Sequence, residues 1–194
     1  RVTPVRQFGK YLTGTGKTAY IIPGGIPHKQ VRYDAHIFTE AELKAFFASI
    51  DRCGKSPFSP YRCYVIPVIF RLLFTCGLRS SEALLLGVSD IDLVTGKIFI
   101  RKSKGWGARI IYVSTQMLDL LCRYDSIIRQ YLPDREAFFP NYKGDYCNKS
   151  SLDRWFHEFW DSLPEAAVTK GNKPRVHDFR HSYCVYRLNQ WVNS

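Results

Sequence analysis

Thr75-Cys76-Gly77-Leu78-Arg79-Ser80-Ser81-Glu82-Ala83-Leu84-Leu85-Leu86 drops one arginine into a turn between two apolar helical segments. Before it, Val65 to Phe74 is apolar apart from Arg71 and predicts a buried helix; after it, Ala83 to Leu86 is apolar again. A guanidinium held between two core helices is costly unless it has a partner. The plainest partner is Glu82, three residues on and within reach on a first helical turn. Ser80 or Ser81 is a candidate cap for the helix that follows, which sets Arg79 beside a helix N-terminus, where orphan amides favour anions.

Composition bounds what such an arginine can serve. The chain has 194 residues, one ordinary domain with room for a piece of a second, and 45% of them are hydrophobic, as in a globular protein. Its 28 Lys and Arg against 17 Asp and Glu give a net charge of +11, so the expected partner is a polyanion, nucleic acid ahead of an anionic membrane surface. Cys53, Cys63, Cys76, Cys122, Cys147 and Cys184 form no C-x-x-C pair and no regular spacing. That argues against a zinc ribbon or a disulfide framework and for reduced thiols in the cytoplasm. The longest apolar block carries Pro67, is cut by Arg71 and is too short to span a bilayer, and no signal-peptide pattern opens the chain. The expectation is a cytoplasmic, DNA-associated protein with no membrane partner.

Outward from the arginine turn, helices dominate. Residues 1 to 33 hold Arg1, Arg6, Lys10, Lys17, Lys29 and Arg32 without one acid, and Gly14 to Pro27 is rich in Gly, Thr and Pro, which reads as a basic linker. Gly14-Thr-Gly-Lys-Thr18 looks like the end of a phosphate-binding loop, but position 11 is Tyr where glycine is required and no apolar strand precedes it, so an NTPase is rejected. Thr39-Glu-Ala-Glu42 is a capping box that opens the main domain with a helix burying Leu43, Phe46, Phe47 and Ile50. A second helix is expected from Tyr61 to Thr75. Two β-rich runs, Lys97 to Arg101 and Arg109 to Val113, flank Lys102-Ser-Lys-Gly-Trp-Gly107 and predict a hairpin with a basic tip.

Ser114 or Thr115 caps the next helix, whose stripe of Met117, Leu118, Leu120, Leu121, Tyr124, Ile127, Ile128 and Tyr131 belongs to the core and stops before Pro133. Ala137 to Pro140 reads as a short strand. Ser150-x-x-Asp153 caps a helix with Leu152, Trp155, Phe156, Phe159 and Leu163 inward and His157 at the surface or its boundary. A basic loop, Thr169 to Arg175, then feeds Val176-His-Asp-Phe-Arg-His181 and a last helix with Asp178 as its cap. The fold class is mostly α with a small antiparallel β-sheet (α+β).

Arg79 at a helix start, Lys104 at a hairpin tip, and His177 with Arg180 entering the last helix have the chemistry of a phosphate site. Guanidiniums chelate phosphate oxygens bidentately, a lysine reaches a leaving oxygen, and a histidine moves a proton near neutral pH. His177 and His181, at i and i+4, are also a candidate metal pair, but the glutamate of H-E-x-x-H is absent and no third ligand is evident.

Taken in order, T-C-G-L-R-x-S-E, a basic hairpin and H-x-x-R-H resemble the tyrosine recombinase (phage integrase) family over roughly Phe38 to Trp191. The resemblance implies a tyrosine recombinase catalytic-domain fold in which Arg79 and Arg180 clamp a scissile DNA phosphate and stabilise its pentacoordinate transition state. It implies that Lys104 protonates the leaving 5′ oxygen, with Lys102 as the rival in the same loop, and that His177 assists as acid or base. Glu82 orients Arg79 and His181 lies behind the site, while Lys102, Arg109, Lys173 and Arg175 are the expected DNA contacts. Double-stranded DNA is the implied partner, with higher-order assembly of the full-length protein on it, and no metal or other cofactor is called for.

The sequence departs from the family pattern at its end. Fourteen residues follow Arg180, so the family's Gly-His or Gly-Trp motif and its tyrosine nucleophile have no counterpart, since Trp191 comes too early and Tyr183 and Tyr186 lie within the matched helix. The expected organisation is residues 1–34 as a basic linker and trailing piece of an N-terminal core-binding domain, and residues 35–194 as a catalytic domain incomplete at its C-terminus. The expected function is site-specific DNA recombination through a 3′-phosphotyrosyl intermediate in the full-length protein, with this fragment inactive. The alternative is a non-catalytic, regulatory DNA-binding protein on the same fold.

Overall fold

The capping box at Thr39 sets the frame of the main body. In the computed structural model, which describes residues 2–23, 33–57, 59–101, 107–168 and 173–193, Thr39 Oγ1 accepts the Glu42 N–H at 3.2 Å and Glu42 Oε2 accepts the Thr39 N–H at 2.7 Å. Helix α2 (Glu40–Asp51) follows and buries Leu43, Phe46 and Ile50. Helix α3 (Arg62–Cys76) is apolar on nearly every side and forms the centre of the domain, with Ile66, Ile69, Phe70 and Leu72 wholly buried. Its one charge inside that block, Arg71, leaves the core along the Phe47 ring, 5.0 Å from the centroid, and forks onto Asp51 at 2.8 and 2.6 Å. The guanidinium is thereby paired and stacked rather than stranded.

Gly77 ends α3 in the left-handed region (φ 59, ψ 33), and Arg79 leads into the short helix α4 (Ser80–Leu84). Arg79 itself takes the cap position, so neither Ser80 nor Ser81 is the cap expected from the sequence. A 3₁₀ turn, Val88–Asp90, precedes strands β1 (Ile91–Asp92), β2 (Lys97–Ile100) and β3 (Arg109–Tyr112), which form an antiparallel sheet in the order β1-β2-β3. Ile98 pairs with Ile111 and Phe99 with Ile110. The alternation of the strands buries Ile98 and Ile100 and leaves Phe99, Ile110 and Tyr112 on the outer face.

Helix α5 (Thr115–Tyr131) is capped by Ser114, whose Oγ accepts the Met117 N–H at 3.3 Å. Residues 137–140 are buried but make isolated bridges, Gly87 to Ala137 and Pro140 to Tyr146, in place of the expected strand. The reason is local: Phe138 N–H reaches the Leu86 carbonyl and Tyr124 Oη takes the Phe138 carbonyl, so no continuous ladder is available. Helix α6 (Lys149–Trp160) starts earlier than Ser150, because Asn148 Oδ1 accepts the Ser151 N–H at 2.8 Å and is the cap. A short helix that sequence periodicity did not reveal, α7 (Pro164–Val168), follows.

Helix α8 (Asp178–Val192) is fastened at its start by residues facing inward. Phe179 stacks on Phe38 at 4.7 Å, within a cluster that includes Phe46, Phe70, Phe156 and Trp160. Ser182 Oγ accepts the Phe38 N–H at 2.9 Å, and Tyr186 Oη donates to the Phe38 carbonyl at 3.0 Å. Asp178 is the first residue of the helix rather than its cap, and its buried carboxylate accepts the Arg175 N–H at 2.8 Å.

The chain divides into two compact units, Arg1–Tyr33 and Asp34–Ser194, and everything above belongs to the second. Within the first, Val2–Gly14 is helical (α1), and Arg6 donates to the carbonyls of Ile22 and Pro23 at 2.8 Å each, returning residues 17–23 toward the helix. The second unit is mostly helical with a small antiparallel sheet, the class that the sequence predicts. Among the described residues no helix is long and apolar enough to cross a membrane.

Candidate functional site

The reversal at Gly77 brings the arginine turn and the start of α8 together. Arg180 Nη1 donates to the Gly77 carbonyl at 2.5 Å, across 103 residues of sequence. A Cβ on Gly77 would lie 2.2 Å from Cδ1 of Tyr183, so only glycine fits both the left-handed backbone and the close approach of α8. On α8, burial of Asp178, Phe179 and Ser182 turns His177, Arg180 and His181 away from the core.

Arg79 is held from behind by Glu82, whose side chain is 1% exposed. The carboxylate accepts the Arg79 backbone N–H at 2.9 Å and Nη1 at 2.9 Å. Arg109, the first residue of β3, places both of its Nη atoms on the two oxygens of the same carboxylate at 2.8 Å. Burial by itself would push the Glu82 acid up, but the hydrogen bonds from Arg109 and Arg79 outweigh it and hold the carboxyl at about 2. Glu82 is therefore ionised at any pH where the protein works, and the sequence expectation of an Arg79–Glu82 pair holds with Arg109 as a third member.

In front of Arg79 opens a cleft of about 500 Å³. Arg79, Ser80 and Ser81 form one wall, Arg175, Val176 and His177 a second, and Lys149, Asp153 and His157 of α6 a third. Lys149 pairs with Asp153, and His157 Nδ1 lies 3.5 Å from Asp161 Oδ1. Burial, then the neighbouring His181 and the Arg180 guanidinium, lower the pKa of His177, favouring a neutral imidazole that can accept a proton. The His181 ring stands edge-on to it at 4.9 Å. A cleft lined by Arg79, Lys149 and Arg175 has cationic donors for a phosphate diester, and the His177 imidazole beside them is a group able to take a proton from an attacking hydroxyl.

The sequence-predicted residues fall into four sets. Arg79, His177 and Arg175 line the cleft; Arg180, His181, Glu82 and Arg109 adjoin these residues without lining it, Arg180 bonded to the Gly77 carbonyl, His181 against His177, and Glu82 with Arg109 against Arg79. Lys173 lies farther out, 3.5 Å from Asp161 Oδ2 and 80% exposed. Lys102 and Lys104 lie outside the described residues. Sequence reasoning missed the α6 wall, although Lys149, Asp153 and His157 recur every fourth residue along one border of the apolar stripe of Leu152, Trp155 and Phe156, and that polar line was the available signal.

Comparison with known proteins places these features in a family. Residues 37–193 match the model of the phage integrase family. The protein y4rE of Sinorhizobium fredii, whose name assigns it to the integrases/recombinases, is 30% identical over 193 residues, covering 96% of this chain and 60% of its own length. The tyrosine recombinase XerC of Halalkalibacterium halodurans is 27% identical over 128 residues, 62% of this chain and 40% of that protein. Among solved structures, a lambda integrase tetramer bound to a Holliday junction superposes with a TM-score of 0.72 at 14% identity, covering 97% of this chain and 51% of that one, a likeness of fold. The chain thus spans 60% or less of the length of these relatives.

Proposed function

Because the chain belongs to the phage integrase family, we propose that residues 35–194 are the catalytic domain of a site-specific DNA recombinase that cuts and rejoins double-stranded DNA. The observation that carries the reading is the convergence of Arg79, Arg175 and His177 on one cleft, with Arg180 tied to the Gly77 carbonyl two residues before Arg79. Arg79 and Arg180 hold the non-bridging oxygens of the scissile phosphate and stabilise the charge that grows on them in the transition state. A tyrosine oxygen attacks phosphorus and its proton passes to His177; the P–O5′ bond breaks, and Lys104 gives a proton to the departing 5′ oxygen. The 3′-phosphotyrosyl link conserves the bond energy, and a 5′-hydroxyl reverses the step on a new strand. The complete protein is proposed to assemble in several copies on DNA, by analogy with the lambda integrase, which binds a Holliday junction as a tetramer.

Residues 1–194 by themselves are proposed to bind DNA without cutting it. Among the described residues lining the cleft there is no tyrosine. Tyr186 is committed to the Phe38 carbonyl and Tyr183 to the surface of Gly77. Two measurements on the 194-residue chain test these statements. Affinity for a labelled duplex is expected to fall steeply with salt, and Arg79→Ala and Arg180→Ala are each expected to weaken it. A nicked suicide duplex is expected to give no covalent protein–DNA adduct. Salt-independent binding, or affinity untouched by both substitutions, overturns the phosphate clamp; an adduct overturns the claim that this segment does not cleave.

A further inference from the structure

The sequence marks Arg109 as a DNA contact, and in the fold its guanidinium is engaged by Glu82. Its guanidinium meets Glu82 as a fork, one Nη on each carboxylate oxygen at 2.8 Å, whereas Arg79 places Nη1 on Oε1, which it shares with Arg109, and its backbone N–H on Oε2. Two arginines thus compete for one buried anion, and the one from β3 holds the fork. The adjacent strand repeats the device: Arg101, next after β2, places Nε 3.0 and 3.1 Å from the two oxygens of Asp90, a buried carboxylate that also accepts the Gly87 N–H. Ile100 and Arg109 are paired residues of the sheet, so both arginines sit at the same end of the β2–β3 ladder.

We propose that Arg109 is a positioning residue for the phosphate site: by occupying both oxygens of Glu82 it prevents that carboxylate from closing a fork on Arg79 and neutralising the guanidinium that engages the phosphate. The inference rests on the reading of Arg79 as a phosphate ligand. A flexible carboxylate three residues along a helical turn from an arginine reaches it readily, and a bidentate Arg–carboxylate pair is the strongest arrangement open to either group. With Arg109 present, the Nη1 contact aims Arg79 while the fork of Glu82 is spent on β3. Without Arg109, both oxygens of Glu82 can close a fork on Arg79, and the site loses cationic strength although Arg79 is still there. Lysine at 109 keeps the charge but has no planar fork.

The test is a double-mutant cycle on the full 194-residue chain, read as affinity for a short labelled DNA duplex at fixed ionic strength. Arg109→Ala is expected to weaken binding about tenfold, and Arg109→Lys to recover little of the loss. In an Arg79→Ala background, Arg109→Ala is expected to change affinity by less than about twofold, because the residue acts through Arg79. A merely structural role lowers the melting temperature of Arg109→Ala without that dependence on Arg79, and a direct phosphate contact gives additive losses that Arg109→Lys restores. Either of those results overturns the inference while leaving the phosphate clamp intact. An Arg79→Ala variant that binds as tightly as the parent overturns both. Should Arg109→Ala not fold, as judged by circular dichroism, Arg109→Lys carries the same cycle.

Discussion

Replacing Gly77 by alanine perturbs the point where both arginine motifs meet, and its cost can be worked from the structure. The backbone at φ 59, ψ 33 is left-handed, which costs a residue with a Cβ roughly 1–2 kcal/mol. The added methyl lies 2.2, 2.7 and 2.9 Å from Cδ1, Cε1 and Cγ of Tyr183. Turning the ring about its own axis does not relieve this, since Cγ stays where it is, so α8 or the turn has to shift, an overpacking cost of about 1–3 kcal/mol. Together the two give about 2–5 kcal/mol, or a drop in melting temperature of roughly 4–20 °C for a chain of this size. The displaced carbonyl is the one that receives Arg180, so DNA affinity is expected to fall along with stability. Denaturant unfolding of Gly77→Ala, Tyr183→Ala and the double variant separates the parts, because in the Tyr183→Ala background only the backbone share of about 1–2 kcal/mol remains. A Gly77→Ala variant within about 0.5 kcal/mol of the parent, or one equally destabilised in both backgrounds, refutes the close-approach argument.

Two further outcomes concern charge. Glu82 is held at about 2, below the 4.5 of the free acid, so its contribution is present above about pH 4.5 and is lost as the pH falls through about 2; the shift corresponds to roughly 3 kcal/mol. The stability gap between the parent and Glu82→Gln is therefore expected to narrow between pH 4.5 and 2, and a constant gap across that window contradicts the three-way ion pair. His177 is depressed below 6.5 by burial first, then by His181 and Arg180, so the unfolded chain takes up its proton first and stability declines as the pH drops through 6.5. An NMR titration of the His177 ring is expected to show a midpoint below 6.5 that rises in Arg180→Ala; a midpoint at or above 6.5 in the parent counts against the placement of the ring beside His181 and Arg180.

Some of this was legible because the signal is local. A capping box needs only the residues Thr39 and Glu42, an apolar block such as Val65 to Phe74 has one place to go, and a glycine between two helical segments announces a reversal. The Arg79–Glu82 pair was legible for the same reason, as the two lie one helical turn apart. The start of α6 differs from the sequence expectation because Asn148, Ser150 and Ser151 are all competent caps, and the choice among them was made by packing of Trp155 and Phe156 against the core. The strand expected at 137–140 failed because β pairing needs a partner edge, and which backbone lies alongside is not a local property.

By itself the sequence determined the class of the fold, the two arginine motifs and the excess of positive charge, since each follows from residue type, spacing and composition. Only the tertiary structure decided that Arg109 spends its guanidinium on Glu82, that Arg180 reaches the site region through the Gly77 carbonyl, and that one side of α6 walls the cleft. The physical reason is that a guanidinium is read by the acceptor it finds. Sequence specifies the donor, but a buried carboxylate or a left-handed carbonyl becomes its partner only after distant elements have packed, and the competition between Arg79 and Arg109 for one anion exists only once β3 lies beside α4.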